Sequence, residues 1–217
     1  LANNHVLDYG EGGYKDTKEA LDAVGIAYAG RDEYALYVTE SGLRVGVYAL
    51  SFGTTDQVKK GMAALKELDP DFIIAAMHWG DEGSYTVNND QIKLAHACID
   101  EGADFVYGSH PHTLQPYEVY KDKYIYYSMG NWTFGGNTDP RDNDTFILRL
   151  TLEKTPDGKE IYPGTKYREF FTDQCAKAIV QAWNNRADAG MAYGYGYAVV
   201  AHSRRTTYCD DYSKKST

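Results

Sequence analysis

The sequence predicts an α/β fold with its site at the carboxyl ends of sheet strands, and three observations carry that expectation. A helical stretch after Thr54 leads through Pro70 into the apolar run Phe72 to Met77, and a second, about Asp90 to Glu101, leads through Gly102 into Phe105 to Tyr107. Both runs have strand length and suit strands buried on both faces. Each ends in histidines, His78 in one case and His110 with His112 in the other. In open α/β sheets ligands bind in the crevice beyond the strand ends.

The elements follow in order. Leu21 and Val24 recur at helical spacing from Thr17, a candidate cap, and Gly25 is a stop signal, so a short helix is expected over Thr17 to Val24. Leu36 to Val38 and Val45 to Ala49 flank the turn residues Glu40-Ser41-Gly42 and read as a hairpin or two adjacent strands. Thr54 and Gln57 have capping-box spacing, and Val58, Met62 and Leu65 form the apolar stripe of a helix reaching Leu68. In the third helix Leu94, Ala95, Cys98 and Ile99 share a face, and Gly102 terminates it. Tyr117 to Tyr120 and Tyr124 to Ser128 read as strands around Lys121-Asp122-Lys123, and Thr145 to Glu153 alternates like another. Beyond Thr155 the pattern weakens to one expected helix, about Thr172 to Arg186, a Tyr/Gly alternation from Ala192 to Ala201, and a tail after His202. The expected organisation is a domain over residues 1–154 and a C-terminal extension over 155–217, which is also able to complete that domain.

Composition narrows the function. The chain carries 22 Lys and Arg against 31 Asp and Glu, a net charge of −9, and no basic block. Nucleic acid is bound mainly through clustered Lys and Arg, so a nucleic-acid partner is not expected. The apolar run Phe72 to Met77 is far below the roughly 18 residues that cross a bilayer, and no signal peptide or anchor pattern occurs. Three cysteines, Cys98, Cys175 and Cys209, are too few for a disulfide framework. The first residue is Leu1, inside a motif, so an upstream segment is expected to be missing.

Of six histidines, four fall in three short loop-like segments: His5 in LANNHVLDYG, His78 in MHWGDE, and His110 and His112 in GSHPH. Neutral imidazole is the commonest metal ligand, and the proline of His110-Pro111-His112 restricts the backbone on both sides so that two rings aim into one cleft. The amide oxygen of Asn4 is able to join them, and an Asn, His, His, His set suits Zn, Mn or Fe better than Ca or Mg. His96, in mid-helix, and His202, in the tail, are assigned structural roles. Trp79, Glu82 and Trp132 are candidates to line a substrate groove, with Asn131 in the loop Ser128 to Asn131. The two tryptophans serve equally well as packing beneath the loops.

The succession ANNHVLDYG, HWG with Glu82 and Gln91 downstream, DEGADFVYGSHPHTLQP and IYYSMGNWTF resembles the CapA-type poly-γ-glutamate capsule biosynthesis proteins of the calcineurin-like metallophosphoesterase superfamily, from about Leu1 to Phe134. The resemblance implies an αββα sandwich, two mixed sheets face to face with helices outside and a metal cleft at the strand ends, here N-terminally truncated. It implies Asn4, His78 and His110 as ligands of one metal and His112 as a ligand of its neighbour. His5 resembles the cationic residue that contacts the phosphate or protonates the leaving oxygen, with Asp8 orienting it. An acidic residue follows His5 at three positions here rather than one.

The superfamily's first aspartates lie upstream of the Asn3-Asn4-His5 segment, so this chain is expected to hold one divalent ion well, Mn, Zn or Fe. The apolar edges left by the missing strands are expected to pair with that N-terminal segment or with another chain. The first expected function is that of a CapA-like protein of capsule biosynthesis with a metal-dependent phosphoesterase-type site. It would act on an anionic polymer or phosphoester by metal-assisted hydrolysis or transfer. The location the resemblance implies is extracytoplasmic, at the cell surface or secreted, with a membrane synthase as possible partner. The rival is a non-catalytic polymer-binding or assembly subunit that retains the fold, and a weaker third reading is a cytosolic phosphodiesterase.

Overall fold

The computed structural model describes residues 1–132 and 142–152. Residues 1–147 belong to one compact unit. Residues 148–152 belong to a second and carry no regular secondary structure. The elements of the first unit are α1 (Gly10–Ala23), β1 (Ala35–Val38), β2 (Arg44–Ser51), α2 (Thr55–Lys66), β3 (Phe72–His78), α3 (Asn89–Asp100), β4 (Phe105–Ser109), β5 (Leu114–Tyr120) and β6 (Lys123–Met129). They build one six-stranded mixed sheet in the order β1-β2-β3-β4-β6-β5. The α/β class expected from the sequence is therefore present, consistent with the metallophosphoesterase-type fold that the resemblance implies. Among the described residues there is one sheet.

Four strands, β2, β3, β4 and β6, run parallel, and the two edge strands β1 and β5 are antiparallel to their neighbours. Pro116 lies within β5, where the sequence pattern alone placed the strand start later, at Tyr117. An edge strand tolerates a residue without an N–H. The register Ser51↔His78↔Ser109 sets the ends of β2, β3 and β4 side by side.

Both crossover helices start as their sequences dictate. Thr54 accepts from Gln57 N while the Gln57 side chain reaches back to Thr54 N, and Asn88 with Gln91 repeats the arrangement. Their apolar stripes, Val58, Met62 and Leu65 of α2 and Leu94, Ala95, Cys98 and Ile99 of α3, bury against Leu50, Ile73, Ala75, Met77, Val106 and Ile125 of the sheet. Each fully buried side chain of this size contributes roughly 1.5–3 kcal/mol. On the site-forming side of the sheet's β1 edge, Ala35, Ala49 and Ala29 form a smaller cluster with Ala2, Val47 and Ala76.

Two expectations are corrected. The first helix begins at Gly10, and Thr17 is inside it, its hydroxyl bonding back to Gly13 O at 2.8 Å. The glycines at 10, 12 and 13 hid its start, since glycine disfavours helix interiors. The alternation after Thr145 does not make a strand over the described residues. Thr145 forms one isolated bridge with Gly130. Of the tyrosines of β5 and β6, Tyr127 is buried, whereas Tyr117 is exposed and stacks on Tyr126. His96 has the expected structural place, bonded to Glu118 at 2.8 Å and stacked on Tyr120. The boundary at 154/155, the helix Thr172 to Arg186, the Tyr/Gly stretch, the tail, Cys175, Cys209 and His202 lie outside the described residues.

Candidate functional site

Because β2, β3, β4 and β6 are parallel, the residues following Ser51, His78, Ser109 and Met129 all emerge at one end of the sheet. That end carries Phe52, His78, His110, His112 and Asn131. Asn4 and His5 follow Leu1–Ala2, a segment that lies against Gly30. A Cβ on Gly30 would come within 2.9 Å of the Leu1 carbonyl carbon, so only glycine admits the chain there.

The three histidine segments converge. Asn4 Oδ1 lies 2.8 Å from His78 Nε2, and the ring centroids of His78 and His110 are 4.8 Å apart. Those of His110 and His112 are 6.2 Å apart. Phe52, at the end of β2, sets its ring edge-on to both His78 and His110, with centroids at 5.9 and 4.7 Å. The loops are laced together by Trp79 N to Ser109 O at 3.1 Å and Gly83 N to Pro111 O at 2.7 Å. His110 and His112 have positive φ, +98° and +58°. Conformations this sparsely populated cost on the order of 1–3 kcal/mol each and cluster at functional sites.

The hydrogen-bond partners fix where the protons sit. The Asp8 carboxylate only accepts, so His5 donates from Nδ1, at 2.8 Å. In neutral His5 the other nitrogen, Nε2, then accepts from Asn4 Nδ2 at 3.2 Å. That turns Asn4 Oδ1 toward His78, so His78 donates from Nε2, and its Nδ1 accepts the Ser109 hydroxyl at 3.0 Å. A second, separate relation orients His112. Asn131 Nδ2 donates to the carbonyls of His112 and Asp142, at 3.2 and 3.4 Å, so its Oδ1 faces His112 Nδ1 at 2.6 Å and that nitrogen carries the proton.

Electrostatics favour the neutral imidazole at His78 and His110. Burial, then the neighbouring His110, His112 and His5, push the His78 imidazole down to about 4, so it is neutral at pH 7. Burial also lowers His110, with Glu82 and Asp81 opposing and His112 and His5 adding to it. His110 Nδ1 is buried and has no hydrogen-bond partner, which a native structure seldom tolerates without an ion or ligand.

Among the described residues, no three His, Cys, Asp or Glu side chains form a metal cage by themselves. The Asn4 carboxamide oxygen is the further donor that stands beside these imidazoles. Asn4 Oδ1, His78 Nε2 and the His110 ring fit one ion. With bonds of about 2.1 Å, neighbouring ligands of an octahedral ion are about 3 Å apart, close to the Asn4–His78 separation. His112 stands beside them, one ring further along.

The remaining expected site residues fall as follows. His5 and Asp8 form an exposed pair, 68% and 55% accessible. Glu82 is exposed near His110. Trp79 is not a groove residue. It is 2% exposed, and its indole donates to Tyr127 O at 2.9 Å, in the core beneath the cleft. Trp132 is 60% exposed. Asn131 serves His112 as described. Sequence reasoning missed Phe52 and gave Ser109 no role. The signal for Phe52 was its place after a parallel strand, and for Ser109 its place directly before His110.

Comparison with known proteins adds a family. Residues 1–136 match the family model described as "Bacterial capsule synthesis protein PGA_cap". The chain is 35% identical over 190 residues to a PGA biosynthesis protein CapA of Bacillus subtilis, covering 75% of this chain and 49% of that protein. It is 35% identical over 164 residues to a capsule biosynthesis protein CapA of Bacillus anthracis, covering 62% and 39%. It is 30% identical over 199 residues to a Mycobacterium tuberculosis protein named a probable polyglutamine synthesis accessory protein, covering 74% and 52%. The chain thus spans about half the length of these relatives or less.

Proposed function

This chain belongs to the bacterial capsule synthesis protein PGA_cap family, and from that premise we propose that it serves the biosynthesis of a poly-γ-glutamate-type capsule through a cleft holding one divalent transition metal. The observation that carries the reading is the meeting of Asn4, His78 and His110 at the strand ends, with His110 Nδ1 buried and unpartnered. Asn4 Oδ1, His78 Nε2 and His110 would hold Mn, Zn or Fe, with His112 alongside. Such an ion supplies Lewis-acid polarisation of a phosphoryl or acyl oxygen.

The chain's own groups do the rest. Asp8 holds His5 by Nδ1, so a second proton taken up at Nε2, in place of the contact from the Asn4 amide, would be the one offered to a leaving oxygen, an arrangement suited to general acid catalysis. Phe52 packs edge-on against the His78 and His110 imidazoles, and Glu82 and Asp81 border the His110 side. An anionic polymer meets a chain of net charge −9, so a bound cation also offsets like-charge repulsion. The reading places the protein in the cell envelope, extracytoplasmic, beside a membrane synthase. No described helix is long and apolar enough to cross a membrane.

The test is hydrolysis of poly-γ-glutamate and of a generic phosphodiester with Mn2+ or Zn2+ added, comparing wild type with His110→Ala. Cation-dependent turnover lost in the variant supports the catalytic reading. Cation-dependent polymer binding without turnover supports the assembly-subunit reading. Polymer handling indifferent to both cation and variant refutes both.

A further inference from the structure

Ser109 has one hydroxyl proton and two acceptors within reach, His78 Nδ1 at 3.0 Å and Met77 O at 3.3 Å. In the relay running from Asp8 through His5 and Asn4, the proton goes to His78 Nδ1, because His78 spends its Nε2–H on Asn4 Oδ1. A cation-binding His78 needs the opposite arrangement. Its Nε2 lone pair must face the ion, so its proton moves to Nδ1, which then requires an acceptor. The Ser109 oxygen becomes that acceptor once its own proton turns to Met77 O.

We propose that Ser109 is a positioning residue whose hydroxyl swings between His78 Nδ1 and Met77 O, letting the His78 ring exchange tautomers when a divalent cation takes Nε2. The inference rests on the metal reading above and adds to it the residue that makes His78 a competent ligand. The proton balance is neutral: one proton leaves Nε2 to water, one reaches Nδ1 from water, and the imidazole is uncharged throughout. Without the hydroxyl, the Nδ1–H of the cation-bound ring loses its partner. Partners of this kind fix ring orientation and tautomer, and their loss typically weakens metal affinity about 10–100-fold.

The experiment is 15N NMR of the full chain labelled at histidine, with Zn2+ alone as probe and calorimetry for affinity. Expected are Nε2–H at His78 in the cation-free protein, Nδ1–H after Zn2+, and binding about 10–100-fold weaker in Ser109→Ala. Ser109→Thr, which keeps the hydroxyl, restores affinity to near wild type. His112, held by Asn131, stays Nδ1–H in every sample and reports that each variant is folded. Cation-free His78 protonated at Nδ1, or Ser109→Ala with wild-type affinity, overturns the role of Ser109. Wild type that keeps Nε2–H and takes up no Zn2+ overturns the metal reading beneath it, and the intact tautomer tells the two failures apart.

Discussion

Asn4 Oδ1 and His78 Nε2 meet at 2.8 Å although 74 positions separate them. Nothing local produces that meeting. Parallel β3 delivers His78 to the sheet end, and the Leu1–Ala2 segment, seated against Gly30 and the Ala29–Ala35–Ala49 cluster, delivers Asn4. The cleft is therefore assembled by tertiary packing, and its chemistry is sensitive to residues that never touch a ligand.

Gly108 is one of these. A Cβ there would lie 2.1 Å from Tyr127 O and 2.2 Å from Trp79 Nε1, in the middle of the hydrogen bond joining them. Gly108→Ala is expected to destabilise the fold by about 1–3 kcal/mol or more, the usual cost of overpacking a filled interior. Urea unfolding followed by tryptophan fluorescence measures it, and an unchanged midpoint would contradict the packing described.

His5 tests the proton-donor role. His5→Ala is expected to lower kcat about 10²–10⁴-fold on a phosphodiester with a poor leaving group, and far less on a nitrophenyl ester, whose leaving oxygen needs no proton. Equal losses on both substrates would remove His5 from that role.

Acid should weaken the metal-free protein. The His78 imidazole has an ordinary value of 6.5 and is pushed down to about 4 in the fold. Between those values the unfolded chain binds more protons, so stability is fully present above about 6.5 and falls as pH drops toward 4. Glu118 acts in the same direction further down. Burial raises its carboxyl, but hydrogen bonds from Tyr127 and His96 outweigh that and hold it below the usual carboxylate range. In EDTA, the denaturant midpoint should drop from pH 7 to pH 5, and His78→Gln should flatten the drop.

The two crossover helices and the buried strands they lead into were legible because their signals are local. Thr54 with Gln57 spells a capping box, and Phe72 to Met77 has no polar residue to place on a solvated face. Histidines at strand ends were legible for the same reason. Phe52 was not, because its meaning depends on the Ser51↔His78 register, which a linear pattern does not contain. Trp79 was ambiguous until Tyr127 O took its N–H, and Asn131 until its amide found the His112 and Asp142 carbonyls. Both are partnerships between segments apart in sequence.

The most direct test is elemental analysis after dialysis against Mn2+ or Zn2+, for wild type, His78→Ala and His110→Ala. Close to one ion per wild-type chain is expected, with most of it lost in either variant and the fold retained by circular dichroism. Equal metal content in all three proteins, or none in any, would contradict a centre built from Asn4, His78 and His110.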